Sequence, residues 1–343
     1  MFSLEKDSSG IFIIAEVGLN HNGDFGLAVK SIEAAAEAGA DAVKFQNYRT
    51  EDFLFDRSLT YTYLSKGEEI TESMWDICKR CEMKREWLPE LKKVCDDLGI
   101  TLLSTPTSES GVDDLVEIGV EMLKNGSDYL THLPILKYMG STSLPVIIST
   151  GMADSSDVQD AVDAVRSGGT SPIVLLHCTS SYPTKAVDVN LNRMVALRET
   201  FSLPIGFSDH TIGSSAAVQA VSLGACIIEK HFTLDHNLPG PDHWFSMTPY
   251  EFKQYVSDIR EAEQRMGKRC IEPAEIEKTN RKEYRLSLIV SKDLLAGHTL
   301  KAGDFVIAKP GLGLPPKEAE KVIGRRLIQD VCKGTPLQWS HFK

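Results

Sequence analysis

Two hydrophobic patterns alternate along the chain as far as about residue 266. Short apolar runs rich in β-branched residues fall at 11–17, 41–45, 100–104, 121–123, 145–149, 173–178, 203–207 and 226–229. Between them lie stretches whose apolar positions recur every three or four residues, notably 27–38, 85–98, 154–165, 214–223 and 249–266. The first pattern predicts buried strands and the second amphipathic helices. Their alternation predicts a parallel sheet with helical crossovers. Eight repeats predict an α/β fold closed into a (β/α)8 TIM barrel. An open doubly wound sheet is the alternative that strand counting leaves.

Every predicted strand runs into polar residues. In order they are Glu16 with Asn20-His21-Asn22-Gly23, Lys44 with Gln46, Ser104-Thr105-Pro106, Lys124-Asn125-Gly126-Ser127, Ser149-Thr150-Gly151-Met152, His177 with Thr179, Ser180 and Tyr182, Ser208-Asp209-His210, and Glu229-Lys230-His231. In a barrel all these ends share the face that carries active sites. One polar residue at a strand end is explained by a helix cap or a turn. Eight successive ends are harder to explain that way.

The residue types point to a chemistry. Lys44 and Lys124 supply point charges, and Ser127, Ser149, Ser180 and Ser208 supply directional hydroxyls, a set suited to a small phosphorylated acid. No GxxxxGK loop occurs, which disfavours a nucleoside triphosphate. The alternative role of each lysine is a buried ion pair. His210 and His231 close adjacent strands, where two imidazoles can share one metal, Mn²⁺ or Mg²⁺ before Zn²⁺. Glu16, Glu229 and Asp242 add carboxylates for sugar hydroxyls, water or proton transfer. Pro239-Gly240-Pro241 stiffens the loop that presents Asp242.

Beyond Met266 the pattern changes. Residues 271–284 are charged and read as a linker between a barrel domain at 1–270 and a small module at 285–343. That module carries short strand-like pieces, Gly297, Gly303 and Lys309-Pro310-Gly311-Leu312-Gly313. At this size it folds alone only marginally and is expected to pack on a partner.

Composition removes other classes. The net charge of −11, without a long basic run, argues against nucleic acid and anionic membranes as partners. No apolar run reaches a membrane span, and residues 1–10 lack the apolar stretch of a secretory signal. Seven scattered cysteines read as thiols of a reduced, cytoplasmic protein. Cys78 and Cys81 have metal or redox spacing but no second pair nearby.

At the level of longer motifs the chain resembles the sialic acid synthases. The resemblance rests on residues 13–23 (IIAEVGLNHNG), 40–46 (ADAVKFQ), 149–152 (STGM), 206–211 (GFSDHT) and 229–233 (EKHFT). From Ser287-Leu288 to Gly334-Thr335-Pro336-Leu337 the chain is similar to the family's antifreeze-like SAF domain, a β-clip fold. The resemblance implies a phosphoenolpyruvate-dependent synthase that joins an acylamino sugar to phosphoenolpyruvate and water, giving a nonulosonic acid and phosphate. It implies a domain-swapped homodimer in which that domain caps the partner's site. It assigns phosphoenolpyruvate to Lys44, Thr105, Lys124, Ser127, Ser149, Ser180 and Ser208, and a Mn²⁺ or Mg²⁺ ion to His210 and His231. Catalytic roles fall on Glu16, Glu229, Asp242 and His210, and sugar contacts on Gln46, Tyr182, Asp242 and Lys309.

The chain also departs from the family pattern. Ser180 stands where the family often has Asn, and Thr107 where it has Phe. Asn125-Gly126 precede Ser127, and Asp128 follows it, where the family usually reads Lys-Ile-Ala-Ser-Gly. Lys309 occupies the place of an Arg that meets the sugar's N-acetyl group, and lysine lacks the planar two-pronged contact. The substrate is therefore open between N-acetylmannosamine and a diacetamido-dideoxy hexose of the legionaminic or pseudaminic type. Two rivals stand beside this reading. One is a synthase acting on a sugar phosphate, for which no arginine cluster appears at the strand ends. The other is a non-catalytic carbohydrate-binding protein.

Overall fold

The computed structural model describes residues 10–343; of the polar residues 1–10 that lack a signal's apolar stretch, all but Gly10 lie outside the described residues. Eight parallel strands form one sheet: β1 (Phe12–Gly18), β2 (Ala42–Asn47), β3 (Thr101–Pro106), β4 (Leu123–Asn125), β5 (Val146–Ser149), β6 (Ile173–Cys178), β7 (Ile205–Asp209) and β8 (Ile227–His231). Their order is β3-β2-β1-β8-β7-β6-β5-β4, and β3 lies beside β4, so the ring is nearly closed. The fold is the (β/α)8 barrel that the alternating pattern predicts.

Five strands run two residues further than their apolar runs. β2 ends at Asn47, β3 at Pro106, β4 at Asn125, β7 at Asp209 and β8 at His231. The ladder continues through ionisable residues, with Lys230 opposite Asp209 and Glu16 opposite both Lys44 and His231. An antiparallel hairpin of Thr60–Ser65 and Glu68–Ser73 interrupts the β2–β3 crossover. The sequence reading missed it, because its alternation is largely of exposed threonine, tyrosine and glutamate.

The pleat sorts residues into two layers. Outward positions such as Ile13, Ala15, Val17, Val43, Phe45 and Leu102 pack against the helices. Those helices start at identifiable caps. Asp24 accepts from Leu27 N ahead of Phe25–Glu37, and capping boxes open Ser155–Gly168 (Asp154, Asp157) and Pro249–Met266 (Thr248, Glu251). Inward positions Phe12, Ile14, Ala42, Leu103, Met122, Ile147, Val174, Leu176 and Ile227 fill the barrel with a second apolar cluster. Burying each such large side chain contributes about 1.5–3 kcal/mol.

The chain divides into two compact units, Met1–Gly267 and Lys268–Lys343. The second has its own core of Leu288, Val290, Leu294, Leu300, Leu314, Val322, Leu327, Val331, Leu337 and Phe342. Its strands Ser287–Val290 and Phe305–Ala308 pair antiparallel. The stretch read as a linker contains a helix, Glu277–Tyr284. The units differ in charge: 22 Lys and Arg against 39 Asp and Glu in the first (net −17), and 15 against 9 in the second (net +6). All seven cysteines are free thiols. Among the described residues no helix is long and apolar enough to cross a membrane.

Candidate active site

Two residues beyond the apolar layer, the same inward rows of the pleat turn polar. Ile14 is followed by Glu16, Ala42 by Lys44 and Gln46, Leu103 by Thr105, and Met122 by Lys124. Ile147 is followed by Ser149, Leu176 by Cys178, and Ile227 by Glu229 and His231. On β7 the inward row runs Gly206, Ser208, His210. A Cβ on Gly206 would meet Leu176 Cδ2 at 2.5 Å, so the row has room only for glycine at that level. Period-two geometry thus gives each strand a packing residue followed by a chemical one.

These side chains form one network. Lys44 Nζ lies 2.8 Å from Glu16 Oε2, 3.8 Å from Glu229 Oε2 and 3.2 Å from Thr105 Oγ1. Lys124 Nζ lies 2.6 Å from Ser149 Oγ, 3.0 Å from the Asn125 carbonyl and 3.9 Å from Glu229 Oε2. Ser208 donates to Glu229 Oε1 at 3.0 Å, and Gln46 donates to Glu16 Oε1 at 3.0 Å. Nearby, Gly151 N–H donates to Ser127 Oγ at 3.0 Å, and Ser127 Oγ is 3.0 Å from Cys178 Sγ. A Cβ on Gly151 would sit 2.4 Å from Ser180 Oγ and 2.7 Å from Ser127 Oγ. The glycine lets three strand ends meet, and the Ser180 hydroxyl is buried without a partner.

Burial dominates the electrostatics. It opposes the charge on Lys44, but Glu16 and Glu229 outweigh it and raise that pKa. Burial likewise opposes ionised Glu229, yet Lys124 and Lys44 hold its pKa down. Lys124 is lowered by burial, with Glu229 working the other way. Glu16 is raised, first by burial. Asp242 is pushed up to about 7 by burial and then by Glu16. The physical cause is a mismatch: three carboxylates share a water-poor space with two ammonium groups, so one carboxyl retains its proton.

The histidines stand together. Their ring centroids are 5.5 Å apart, and Tyr182 lies 4.2 Å from the His210 ring and 5.5 Å from that of His231. His210 Nδ1–H donates to the Thr179 carbonyl at 2.8 Å, which leaves Nε2 with its lone pair. His231 Nδ1 is buried without a hydrogen-bond partner, 4.0 Å from Asp242 Oδ2. Burial lowers the pKa of both rings, that of His231 well below the ordinary value, so both are neutral donors near pH 7. This pair suits a divalent cation. Among the described residues no three His, Cys, Asp or Glu side chains form a complete donor set, so oxygen ligands from substrate or water would supply the rest.

Glu16, Lys44, Gln46, Thr105, Lys124, Ser149, Ser208, Glu229, His210, His231, Asp242 and Tyr182 thus belong to one mouth, with Ser127 and Ser180 around Gly151. Lys309 belongs to the second unit, its ammonium 5.4 Å from the Tyr284 ring. Sequence reasoning missed Cys178, which reads as the last apolar residue of its strand. It also missed Phe245, 5.2 Å from the His231 ring and 5.4 Å from Tyr182. The period-two extension of β6 would have revealed Cys178; nothing local marks Phe245.

Ionisable side chains buried together at the C-terminal mouth of a parallel barrel define an enzyme of the TIM-barrel class. The chain belongs to the NeuB family, which residues 31–270 match, and it carries a SAF domain at residues 285–343. It is 40% identical over 336 residues to the N,N'-diacetyllegionaminic acid synthase of Legionella pneumophila, covering 97% of this chain and 94% of that protein. It is 34% identical to the pseudaminic acid synthase of Helicobacter pylori, covering 95% and 96%. Among solved structures, the N-acetylneuraminic acid synthetase of Leptospira borgpetersenii, crystallised with citrate, superimposes with a TM-score of 0.71 at 34% identity, covering 79% of this chain and 90% of that one. The similar proteins are synthases of legionaminic, pseudaminic and sialic acids, and this chain is an enzyme of that synthase family.

Proposed function

We propose that the protein condenses phosphoenolpyruvate with an unphosphorylated acylamino sugar and water, releasing phosphate and a nonulosonic acid. The observation that carries the reading is the pair of buried ammonium groups, Lys44 and Lys124, set among the hydroxyls of Thr105, Ser149 and Ser208 beside two neutral imidazoles. Two cations and a ring of hydroxyls suit a phosphate and a carboxylate on one small molecule. The 40% identity to a diacetyllegionaminic acid synthase supports a diacetamido-dideoxy hexose over N-acetylmannosamine as the sugar.

In the reaction the methylene carbon of phosphoenolpyruvate attacks the aldehyde carbon of the open-chain sugar. Its C2 becomes cationic and takes up water, and the C2–O bond to phosphate breaks to leave a ketone. Protonated Asp242 gives its proton to the former aldehyde oxygen. Ionised Glu229 faces the developing positive charge at C2. Glu16 takes the first proton of the added water, and the second leaves with the departing phosphate as the ketone forms. His210 and His231 would hold a Mn²⁺ or Mg²⁺ ion, which when bound would supply Lewis-acid chemistry toward the aldehyde. In this reading the enzyme is a homodimer, with the SAF domain of one subunit, Lys309 included, over the partner's site.

The test is phosphate release from phosphoenolpyruvate with Mn²⁺ and a sugar panel: N-acetylmannosamine, its 6-phosphate, two diacetamido-dideoxy hexoses and arabinose 5-phosphate. Release with an unphosphorylated acylamino sugar is expected. Release only with a sugar phosphate overturns the reading. His231→Ala should abolish metal-dependent turnover, and full activity of the wild type in chelator removes the metal from the scheme.

A further inference from the structure

A second set of buried charges lies on the outer side of the same two strands that carry the histidines. Asp209 and Lys230 are opposite each other in the β7–β8 register and are almost fully buried. Lys230 Nζ lies 3.1 Å from Asp209 Oδ2, which also accepts from Tyr255 Oη at 2.9 Å. Asp209 Oδ1 accepts from both Thr211 N at 2.8 Å and Thr211 Oγ1 at 2.7 Å. Lys230 donates in turn to the Thr211 carbonyl. Tyr255 comes from the long helix Pro249–Met266.

None of these groups faces the reaction. The pleat sends Ser208, His210, Glu229 and His231 inward and sends Asp209 and Lys230 outward. A buried ion pair is an expensive way to fill a barrel wall, since an apolar pair of like volume is often as stable or more so. Its geometry shows what it provides. His210 sits between Asp209 and Thr211, both bound to Lys230, and Lys230 sits between Glu229 and His231. One cluster therefore fixes the backbone on both sides of His210 and the residue before His231, and Tyr255 anchors it to a helix.

We infer that Asp209, Lys230 and Tyr255 are positioning residues: they set the mutual placement of the His210 and His231 rings. The metal-affinity arm rests on the proposed metal role of these rings; the placement itself does not. Lys44 and Lys124 lie on β2 and β4, outside the cluster, so the clamp acts on the imidazoles and leaves the phosphoenolpyruvate cations alone.

Full-length Lys230→Met and Tyr255→Phe enzymes test this, the second removing only one hydroxyl should the first fold poorly. ¹⁵N NMR of the histidine side chains, without metal, reads the clamp directly. The His210 and His231 ring resonances should shift while those of His298 and His341, in the second unit, stay in place. Titration with Mn²⁺ followed by EPR should show affinity weakened about 10-fold or more, the usual consequence of losing groups that orient metal-binding histidines. In phosphate-release assays kcat should fall by a larger factor than KM for phosphoenolpyruvate rises, since of the phosphoenolpyruvate set only Ser208 adjoins the clamp. Unshifted His210 and His231 resonances in a folded Tyr255→Phe enzyme, or an equal rise in KM for phosphoenolpyruvate, overturn the inference. Failure of the wild type to bind Mn²⁺ counts against the metal reading alone, because the ring resonances still decide the clamp.

Discussion

Replacing Asp242 with Asn should stabilise the enzyme above neutral pH and leave it unchanged in acid. The carboxyl is held from an ordinary 3.8 up to about 7 by burial and by Glu16. A folded-state pKa above the unfolded one means the native protein binds the extra proton. Stability is then lost as pH rises from about 4 to about 7 and is flat above that. At about 1.4 kcal/mol per pH unit, the full displacement corresponds to about 4 kcal/mol. The side chain keeps only 17% exposure, so little of this is screened by water. For a barrel of this size about 4 kcal/mol is a difference of roughly 8–16 °C in Tm. Thermal unfolding of both proteins from pH 4.5 to 8.5 reads it directly. The two Tm curves should meet near pH 4.5, and the Asp242→Asn variant should lead above pH 7. A difference that stays constant across the range would refute the claim that Asp242 keeps its proton.

Gly151→Ala places a methyl group 2.4 Å from Ser180 Oγ and 2.7 Å from Ser127 Oγ. It should cost about 1–3 kcal/mol of stability, and KM for phosphoenolpyruvate should rise about 100-fold as the hydroxyls are pushed aside; a normal KM would show that this corner does not meet the substrate. Lys124→Met removes the hydrogen bond to Ser149 and one of the two cations beside Glu229, with Lys44 remaining at 3.8 Å. Urea unfolding should show a loss of about 1–3 kcal/mol, and phosphate release should drop to background. Removing the residues after Arg285 should raise KM for the sugar while KM for phosphoenolpyruvate holds, because the barrel has a separate core; unchanged sugar kinetics would take the SAF domain out of the capping role.

The barrel was legible because its strands are buried on both faces and read as continuous apolar runs. The ends of those strands were legible only as polar punctuation. Lys44 and Glu229 fall inside the predicted runs, but Gln46, Lys124 and His231 lie in the ladder beyond them, where a hydrophobicity pattern stops too early. Most of the charged mouth could still be named, since a lysine or glutamate following an apolar run by one or two positions is conspicuous. The Asp209–Lys230–Tyr255 cluster was not legible. Its members sit one residue out of phase with the site, and Tyr255 joins from a helix 46 residues beyond Asp209. Ser127 and Ser180 could be named from the sequence, but their meeting with Cys178 around Gly151 was hidden, because it depends on the missing side chain of a glycine.

The unequal division of charge between the two units gives each molecule an internal polarity. When two copies approach in solution, barrel facing barrel is repelled, and the acidic barrel of one facing the basic C-terminal unit of the other is attracted. The long-range field therefore discriminates between orientations before any side chains touch, and it favours encounters in which unlike parts meet. That selection weakens with salt, because above about 0.15 M the screening length falls below about 8 Å. Because each copy also carries a net charge of −11, any encounter between copies should be slower in dilute buffer than in concentrated salt, although orientation is better selected in the dilute buffer.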